Sequence, residues 1–389
     1  MADTAALTYL DHAASTPMRA GAIEAMTPFF AEQYANASGA HRFARQSRKA
    51  VDESRDRVAA VLGCQPNEVV FTGCGTESDN MAVFGAVHAH GGRPVCSAAE
   101  HHAVLHPVEQ LDGIVVGVDA AGAIDIDALR TALVAASDVS IVSVMAVNNE
   151  VGTVTDLEEV AAVVRRHAPN ALLHTDAVQA ACWLDLRTLT PHVDLLSLSA
   201  HKFGGPKGVG VLAEIGGPRI APLIVGGGQE RDRRSGTHNT GGIVAAAVAL
   251  EETDAERSTE GVRLRELSNR LVKGLQAQLS DVIETVPVER KVAGSAHVCI
   301  AGVESESLLF LLDQANVCAS AASACASGAM DPSHVLAAMG VDRDVALGSL
   351  RLSLGHTTTA ADVDRAIDVI VPAVEQLRTA ATQRTAQRR

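Results

Sequence analysis

The segment Val193–Gly205 has the sequence VDLLSLSAHKFGG, and the fold can be inferred outward from it. Its first seven residues are rich in aliphatic side chains and contain no glycine or proline, so they predict a buried strand. His201 and Lys202 follow at the carboxyl end of this strand, and two glycines then indicate a tight turn. Polar side chains in that position line the usual ligand crevice of an α/β protein. We therefore look for functional residues where the strands end.

Other apolar segments alternate with helical patterns on either side of this one. The predicted strands are Glu68–Thr72, Val139–Val147 and Ala171–Thr175, and the predicted helices are Glu77–His90 and Asp156–His167. Strands that are apolar throughout and alternate with helices indicate a parallel sheet covered on both faces. Because aromatic residues make up only 3% of the chain, aliphatic residues and alanine must form most of the core.

The sequence changes in character after Thr240. Two helices, Gly241–Leu250 and Ser258–Leu279, are predicted there, and a second set of strands and helices continues to residue 372. A chain of 389 residues is long enough for two domains. We therefore predict a large domain at residues 14–255 and a small domain at residues 256–389, with residues 1–13 packing on the small domain.

Composition and charge exclude several classes of protein. The formal net charge of −14 argues against direct nucleic-acid binding, because phosphate recognition relies on clustered lysine and arginine. The seven cysteines are widely spaced without a C-x-x-C pair, so neither a disulfide framework nor a metal site is expected. No secretory signal or membrane-spanning run is visible, and we expect a cytoplasmic protein without membrane association.

Three features at predicted strand ends carry chemistry. Partial burial of Lys202 would make its amine a usable nucleophile, and Asp176, within HTDAVQ, could keep a pyridine nitrogen protonated. The turn Gly73–Thr76 leads into a helix N-terminus, which favours a bound phosphate. Taken singly, these features also fit a surface lysine, a helix cap and a simple turn. Together at one sheet edge they indicate a pyridoxal-phosphate (PLP) site.

The chain resembles the group I (NifS/IscS-like) cysteine desulfurases, which are PLP enzymes of the class V aminotransferase family. The resemblance runs in order from residue 9 to about residue 370. The matching segments are YLDHAASTP (Tyr9–Pro17), FTGCGTESDN (Phe71–Asn80), EHHAV (Glu100–Val104), VNNEVGT (Val147–Thr153), HTDAVQ (His174–Gln179), SLSAHKFGGPKGVG (Ser197–Gly210), GGGQERDRRSGT (Gly226–Thr237), SAASACASG (Ser320–Gly328) and SLRLSLGH (Ser349–His356). This resemblance implies the α/β fold of type I PLP-dependent transferases (aspartate-aminotransferase-like). That fold has a large domain with a mainly parallel seven-stranded sheet and a small α+β C-terminal domain.

The resemblance also implies roles for individual residues. Lys202 forms the covalent link to PLP, Asp176 pairs with the pyridine nitrogen, and Gln179 hydrogen-bonds the ring hydroxyl oxygen. His101 stacks on the ring, and Asn149 lies beside the cofactor. The expected phosphate ligands are Gly75, Thr76, Ser199, His201 and, from the second subunit of a homodimer, Thr237. The expected substrate-binding residues are Arg351, which holds the carboxylate, and Asn36. Asn36 begins Asn-Ala-Ser-Gly, where the family often has Asn-Pro-Ser-Ser.

Cys325 is the residue that the specific reaction requires. It lies in a run of small residues, where an exposed thiol could reach both the substrate and an acceptor. The resemblance implies that Lys202 removes the α-proton of L-cysteine and that the Cys325 thiolate attacks the substrate sulfur. Alanine is then released, and a persulfide is left on Cys325 for a sulfur-acceptor protein. His101 is the predicted base for the proton of the thiol.

Two other functions remain open at this point. An aminotransferase, or a lyase acting on selenocysteine or cystine, would use the same fold without needing the Cys325 thiol in the same way. A non-catalytic protein of a sulfur-transfer system would be favoured if the lysine or the cysteine were missing, yet both are present. The destination of the sulfur is also open between iron–sulfur cluster assembly, tRNA thiolation and DNA phosphorothioation. In each case the acidic chain predicts that a partner protein receives it.

Overall fold

The computed structural model describes residues 7–217, 219–321 and 333–387. The strands in this part of the chain are β1 Thr8–Tyr9, β2 Val69–Thr72, β3 Arg93–Ser97, β4 Ile114–Val116, β5 Val139–Ser143, β6 Leu172–Asp176, β7 Leu195–Ser199, β8 Gly210–Glu214, β9 Val282–Glu284, β10 Ser295–Ile300, β11 Val317–Cys318 and β12 Ser349–Ser353. The helices are α1 Ala20–Met26, α2 Pro28–Ala31, α3 Arg42–Leu62, α4 Gly75–His90, α5 His102–Gln110, α6 Ile126–Ala135, α7 Leu157–His167, α8 Leu186–Leu189, α9 Thr240–Gln278, α10 Ser305–Gln314, α11 His334–Ala338, α12 Arg343–Ala346 and α13 Ala360–Gln387.

The largest sheet in the described residues has seven strands in the order β2-β8-β7-β6-β5-β3-β4. Strands β4, β3, β5, β6 and β7 are parallel, whereas β8 runs antiparallel to both of its neighbours. Strands β6 and β7 are buried along their whole length, as expected for a sheet covered on both faces. The predicted fold class is confirmed.

The predicted strand Val139–Val147 is shorter in the structure, because regular pairing ends at Ser143. The next residues are still buried, but a side chain takes one of their amides: Met145 N donates to Glu100 Oε1 at 2.7 Å. Val144 N and Ala146 N still donate to His174 O and Asp176 O of β6, each at 3.0 Å, so the Glu100 carboxylate replaces a ladder bond on one side of the segment only. Apolar composition predicted the burial of this segment but could not show where the strand stops.

The two helices predicted after Thr240 are one continuous helix, α9, of 39 residues. The residues between the two predicted segments, Glu251–Arg257, include no glycine or proline, so nothing interrupts the backbone hydrogen bonding. The change from alanine-rich to charged sequence marks a change of environment along the helix rather than its end. The predicted domain boundary near residue 255 falls inside α9.

Buried apolar residues form two main clusters on either side of that point. The larger cluster packs the central sheet against α3, α7 and the first part of α9. The second joins the later part of α9 to β10, β12 and α13, and it includes Leu10 from the N-terminal segment. Leu10 joins part of the N-terminal segment to this second cluster, and the domain limits stay a prediction. No helix in the described ranges is long and apolar enough to cross a bilayer.

Candidate active site

A cavity of about 400 Å³ lies at the carboxyl ends of β6 and β7. These strands pair in parallel with Asp176 opposite Ser197, so their last residues and the turn carrying Lys202 reach the same edge of the sheet. The cavity lining includes ten of the predicted site residues, namely Gly75, Thr76, His101, Asn149, Asp176, Gln179, Ser199, His201, Lys202 and Arg351. Residues that are far apart in the sequence therefore form one site.

Lys202 extends from the turn after β7 toward the N-terminal segment. Its Nζ donates hydrogen bonds to the carbonyl oxygens of Ala13 at 2.6 Å and Ala14 at 3.0 Å. Burial, together with the nearby Arg351 guanidinium, lowers the pKa of Lys202 to about 8, although Asp176 and Asp11 oppose this change. The amine is therefore much easier to deprotonate than an exposed lysine, as a nucleophile or a base requires.

Asp176 is buried at the floor of the cavity with a second carboxyl group close by. Its Oδ1 accepts a hydrogen bond from Val178 N at 2.8 Å. Burial raises the pKa of Asp176, and it raises the pKa of Asp79 well above its ordinary value. Two neighbouring buried carboxyls cannot both be charged at low cost, and after burial the Asp176 charge is the next cause of the raised pKa of Asp79. A cationic ring nitrogen would stabilise that charge. Sequence reasoning missed Asp79 because its position in the first turns of α4 carries no chemical signal of its own.

The N-terminus of α4 forms the opposite end of the cavity. Gly75 and Thr76 lie in its first turn, where backbone N–H groups have no partner within the helix and favour an anion. A Cβ at Gly75 would lie 2.8 Å from Val178 Cγ2 and 3.2 Å from Ser199 Cβ, so this position has room only for glycine. Burial lowers the pKa of His201 to about 4, and the ring is neutral at pH 7.

His101 lies at the wall of the cavity as the N-cap residue of α5. Its Nδ1 accepts a hydrogen bond from Ala103 N at 3.1 Å, which leaves the proton of the neutral ring on Nε2. Burial, Lys202 and neighbouring histidines lower the pKa of His101, so the ring is uncharged at neutral pH. His102 stands between His106 and His334, each at 4.6 Å between ring centroids. It belongs to a histidine cluster that sequence analysis did not identify.

Arg351 on β12 reaches the cavity from the other cluster of buried residues. Its Nη1 donates to Asn149 O at 3.0 Å, and its Nη2 donates to Asp11 Oδ1 at 2.8 Å. Its Nε is buried and has no hydrogen-bond partner in the described part of the chain. A fixed guanidinium with a free N–H is suited to a carboxylate ligand.

The N-terminal segment forms a wall of the cavity through backbone groups. The carbonyl of Ala13 accepts a hydrogen bond from Gln179 Nε2 at 2.7 Å as well as the one from Lys202. Tyr9 holds the segment in place through its hydroxyl, which donates to Ser15 O at 2.8 Å. The motif YLDHAASTP was part of the resemblance, but its contacts with Lys202 and Gln179 could not be inferred from it. They are made by backbone carbonyl oxygens, which every residue has.

Two predicted residues of the described chain are not in the cavity. Thr237 and Asn36 are exposed and line no part of it, and Asn36 Oδ1 accepts a hydrogen bond from Ser38 N instead. Cys325 lies outside the described residues. The roles of these three residues therefore stay predictions.

The loop that carries Thr237 has an unusual backbone. Glu230, Arg231 and Asp232 have φ values of 50°, 57° and 66°, a left-handed conformation that side chains disfavour. Arg55 binds both carboxylate oxygens of Glu230, at 2.6 and 2.7 Å, and His238 Nε2 lies 2.7 Å from Oε1. This buried ion pair holds the loop in its strained form.

The cavity fits PLP on several independent observations. It provides a buried carboxyl for the ring nitrogen, a helix N-terminus for the phosphate and a lysine with a lowered pKa for the aldehyde. Its volume suits a small cofactor together with an amino acid. Residue 75 has no space for a side chain, so the cavity is narrow at the end where the phosphate would bind.

Comparison with known proteins identifies the family. The sequence profile described as "Aminotransferase class-V" matches residues 8–366. The chain is 43% identical to an IscS-like cysteine desulfurase of Mycobacterium tuberculosis, covering 96% of this chain and 98% of that protein, and 40% identical to the cysteine desulfurase IscS of Dictyoglomus turgidum, covering 95% of each. A solved NifS-like protein superposes with a TM-score of 0.87 at 33% identity, covering 97% of this chain and 100% of that one. The chain therefore belongs to the class V aminotransferase family of PLP-dependent enzymes, among the NifS- and IscS-like cysteine desulfurases.

Proposed function

We propose that this chain is a PLP-dependent cysteine desulfurase that converts L-cysteine to L-alanine and transfers the sulfur to Cys325. The observation that carries this proposal is the meeting of Lys202, Asp176 and Arg351 in one cavity. The similarity to desulfurases over 95% or more of the chain supports this reaction over others of the same fold.

Each residue in the cavity has a task that its surroundings suit. Bound PLP would supply an electron-accepting ring, and Asp176 would hold the ring nitrogen protonated. Arg351 binds the carboxylate of the amino acid and so orients its α-carbon. Lys202, with a pKa of about 8, removes and returns the proton at that carbon. Neutral His101 can pack against the ring without adding a charge.

Cys325 completes the reaction in this proposal. Its thiolate forms a bond to the sulfur of the substrate, and the carbon–sulfur bond breaks with its electron pair remaining on carbon. A proton then adds to that carbon to give alanine, and Cys325 carries the persulfide. The support for this step is the position of Cys325 in the matching segment SAASACASG. The predicted transfer of the thiol proton to His101 would require Nδ1 to give up its hydrogen bond from Ala103 N, because Nε2 already carries the proton of the neutral ring.

The active form is proposed to be a homodimer. Thr237 is exposed in one chain, as expected for a residue that completes the phosphate site of another. Apolar side chains nearby in the sequence are also exposed, including Val225 at 76%, and so are Phe30 and Tyr34 at 71% each. A Val225→Glu substitution should then produce a monomer that binds PLP weakly, as measured by sedimentation and cofactor titration. A monomeric wild type with full PLP occupancy would contradict this assignment.

The sulfur acceptor is proposed to be a partner protein in the cytoplasm. All cysteines in the described ranges are free, which suits a reducing compartment. The net charge of −14 disfavours a direct complex with tRNA or DNA. Iron–sulfur cluster assembly has the support of the IscS relatives, whereas tRNA thiolation and DNA phosphorothioation stay alternatives.

The reaction is tested by product analysis with L-cysteine and a thiol reductant. A desulfurase releases alanine and sulfide in equal amounts, and a Cys325→Ser variant should lose both while its PLP absorption still changes on adding amino acids. The Cys325→Ser substitution changes none of the described residues that line the cavity, so the variant should bind PLP as the wild type does. Release of a keto acid, or full sulfide production by the variant, would favour an aminotransferase or a lyase.

A further inference from the structure

Asp11 is the only acidic residue that the structure shows in a hydrogen bond with Arg351, within the described part of the chain. Its Oδ1 accepts from Nη2 at 2.8 Å, and the Arg351 and Asp11 side chains are 7% and 22% exposed. Arg351 lines the cavity, whereas Asp11 does not. The Asp11 carboxylate therefore compensates part of the positive charge of Arg351, and it does not occupy the space that a ligand would take.

The guanidinium of Arg351 has five N–H groups, and two of them are in hydrogen bonds with described residues. Asn149 O and Asp11 Oδ1 hold Nη1 and Nη2, and Nε is buried without a hydrogen-bond partner among the described residues. Lys202, Glu150 and His297 also lie close enough for electrostatic interaction with the guanidinium. His297 is deeply buried and uncharged, because burial lowers its pKa to about 3. A ligand carboxylate thus meets a guanidinium that is already oriented and largely neutralised.

We propose that Asp11 is a positioning residue that sets the affinity of the site for amino-acid carboxylates by compensating the charge of Arg351. This inference rests on the proposed role of Arg351 in binding the substrate. The carboxylate is common to L-cysteine and to the product L-alanine, so Asp11 weakens the binding of both. Weaker binding of the carboxylate raises KM for the substrate. It also prevents the product L-alanine from occupying the site.

The segment that contains Asp11 is built to hold it in this place. Asp11 pairs with Ser353, two residues after Arg351, and Ala13 N donates to Ser353 Oγ at 2.9 Å. The Tyr9 hydroxyl, which donates to Ser15 O at 2.8 Å, also lies 3.1 Å from the carbonyl oxygen of Asp11 and can share its proton with it. An asparagine at residue 11 keeps the side-chain shape and the acceptor oxygen, so the orientation of Arg351 is retained while the charge is removed.

The test compares ligands with and without a carboxylate on the PLP-loaded protein. The dissociation constant of L-alanine is measured by calorimetry for the wild type and for Asp11→Asn, with ethylamine as the matched ligand that lacks the carboxylate. Asp11→Asn should bind L-alanine about tenfold more tightly, since the ligand carboxylate then no longer shares the guanidinium charge with a second anion. KM for L-cysteine should fall by a similar factor, and the affinity for ethylamine should not change.

Two results would overturn this proposal. One is unchanged or weaker binding of L-alanine by Asp11→Asn, and the other is equal tightening of ethylamine, which would place the effect at Lys202. Asp11→Glu, which keeps the charge, should restore the weak binding of the wild type. The role of Arg351 is tested separately: if Arg351→Gln binds L-alanine as the wild type does, the proposed substrate site fails, whatever Asp11→Asn shows.

Discussion

Replacing Lys202 with methionine should stabilise the cofactor-free protein at pH 7. The ammonium group is held in a buried position that lowers its pKa from 10.5 to about 8. This difference corresponds to about 3 kcal/mol, at about 1.4 kcal/mol for each pH unit. Methionine has a similar length and no charge, but it loses the hydrogen bonds to Ala13 and Ala14, which offset about 1–2 kcal/mol. A net gain of about 1–2 kcal/mol in the free energy of unfolding is expected.

The pH dependence of this gain follows from the two pKa values. Below pH 8, Lys202 is protonated in both the folded and the unfolded chain, so the folded wild type bears the full cost of the buried charge. Between pH 8 and 10.5 the folded chain loses this proton first, and the stability of the wild type rises. The advantage of Lys202→Met should therefore be constant below pH 8 and disappear by pH 10.

Urea unfolding of the cofactor-free proteins at pH 7 and pH 10 measures this effect. Lys207→Met is the matched control, because Lys207 is exposed and only five residues away. That variant should have the stability of the wild type at both pH values. If Lys202→Met is less stable than the wild type at pH 7, or if its advantage is the same at pH 10, the lowered pKa of Lys202 is refuted.

Three further predictions concern the cofactor site and the strained loop. Asp176→Asn should retain bound PLP but lose at least about a hundredfold in kcat, because the ring nitrogen loses its anionic partner; wild-type kcat would contradict this. Gly75→Ala should weaken PLP binding about tenfold in a fluorescence titration, since the added Cβ would lie 2.8 Å from Val178 Cγ2; unchanged affinity would show that this end can expand. Glu230→Gln should lower the free energy of unfolding by about 3 kcal/mol, because it leaves buried Arg55 without its anionic partner; a loss below about 1 kcal/mol would argue against a strained loop held by this pair.

Glu230 also gives a pH dependence of stability. Burial opposes its ionisation, but hydrogen bonds from His238 and Arg55 lower the pKa of Glu230 to about 2, against an ordinary value of 4.5. Its contribution to stability is therefore complete above about pH 4.5 and is lost as the pH falls toward 2. The Glu230→Gln variant should lack this part of the acid transition.

The fold was predictable from the sequence because the strand patterns and family motifs agree. The strands around Lys202 are rich in leucine and are buried along their whole length, and this pattern indicates a buried parallel sheet. Boundaries were less predictable. Beyond the end of β5 the amide of Met145 is bonded to the Glu100 side chain, and α9 continues through Glu251–Arg257, a charged stretch where the sequence pattern predicts a break although it contains no glycine or proline.

Site residues could be predicted from the sequence where a side chain with characteristic chemistry follows a strand. Residues that act only through a tertiary contact could not be predicted. Lys202 and Asp176 follow strands and could be placed at one sheet edge. Asp11 acts on Arg351, which is 340 residues away in the sequence, so no local pattern connects them. The pKa of Asp79 is raised by burial and by the neighbouring Asp176, which is 97 residues away in the sequence, so no local pattern connects the two carboxyls.

The central claim is that this chain takes sulfur from L-cysteine onto Cys325. The most direct measurement is the intact mass of the PLP-loaded wild type and Cys325→Ser after brief exposure to L-cysteine without reductant, with alanine measured in the same samples. The account predicts one additional sulfur atom on the wild type, none on the variant, and alanine from the wild type. A wild type without added sulfur, or equal sulfur on both proteins, would contradict it.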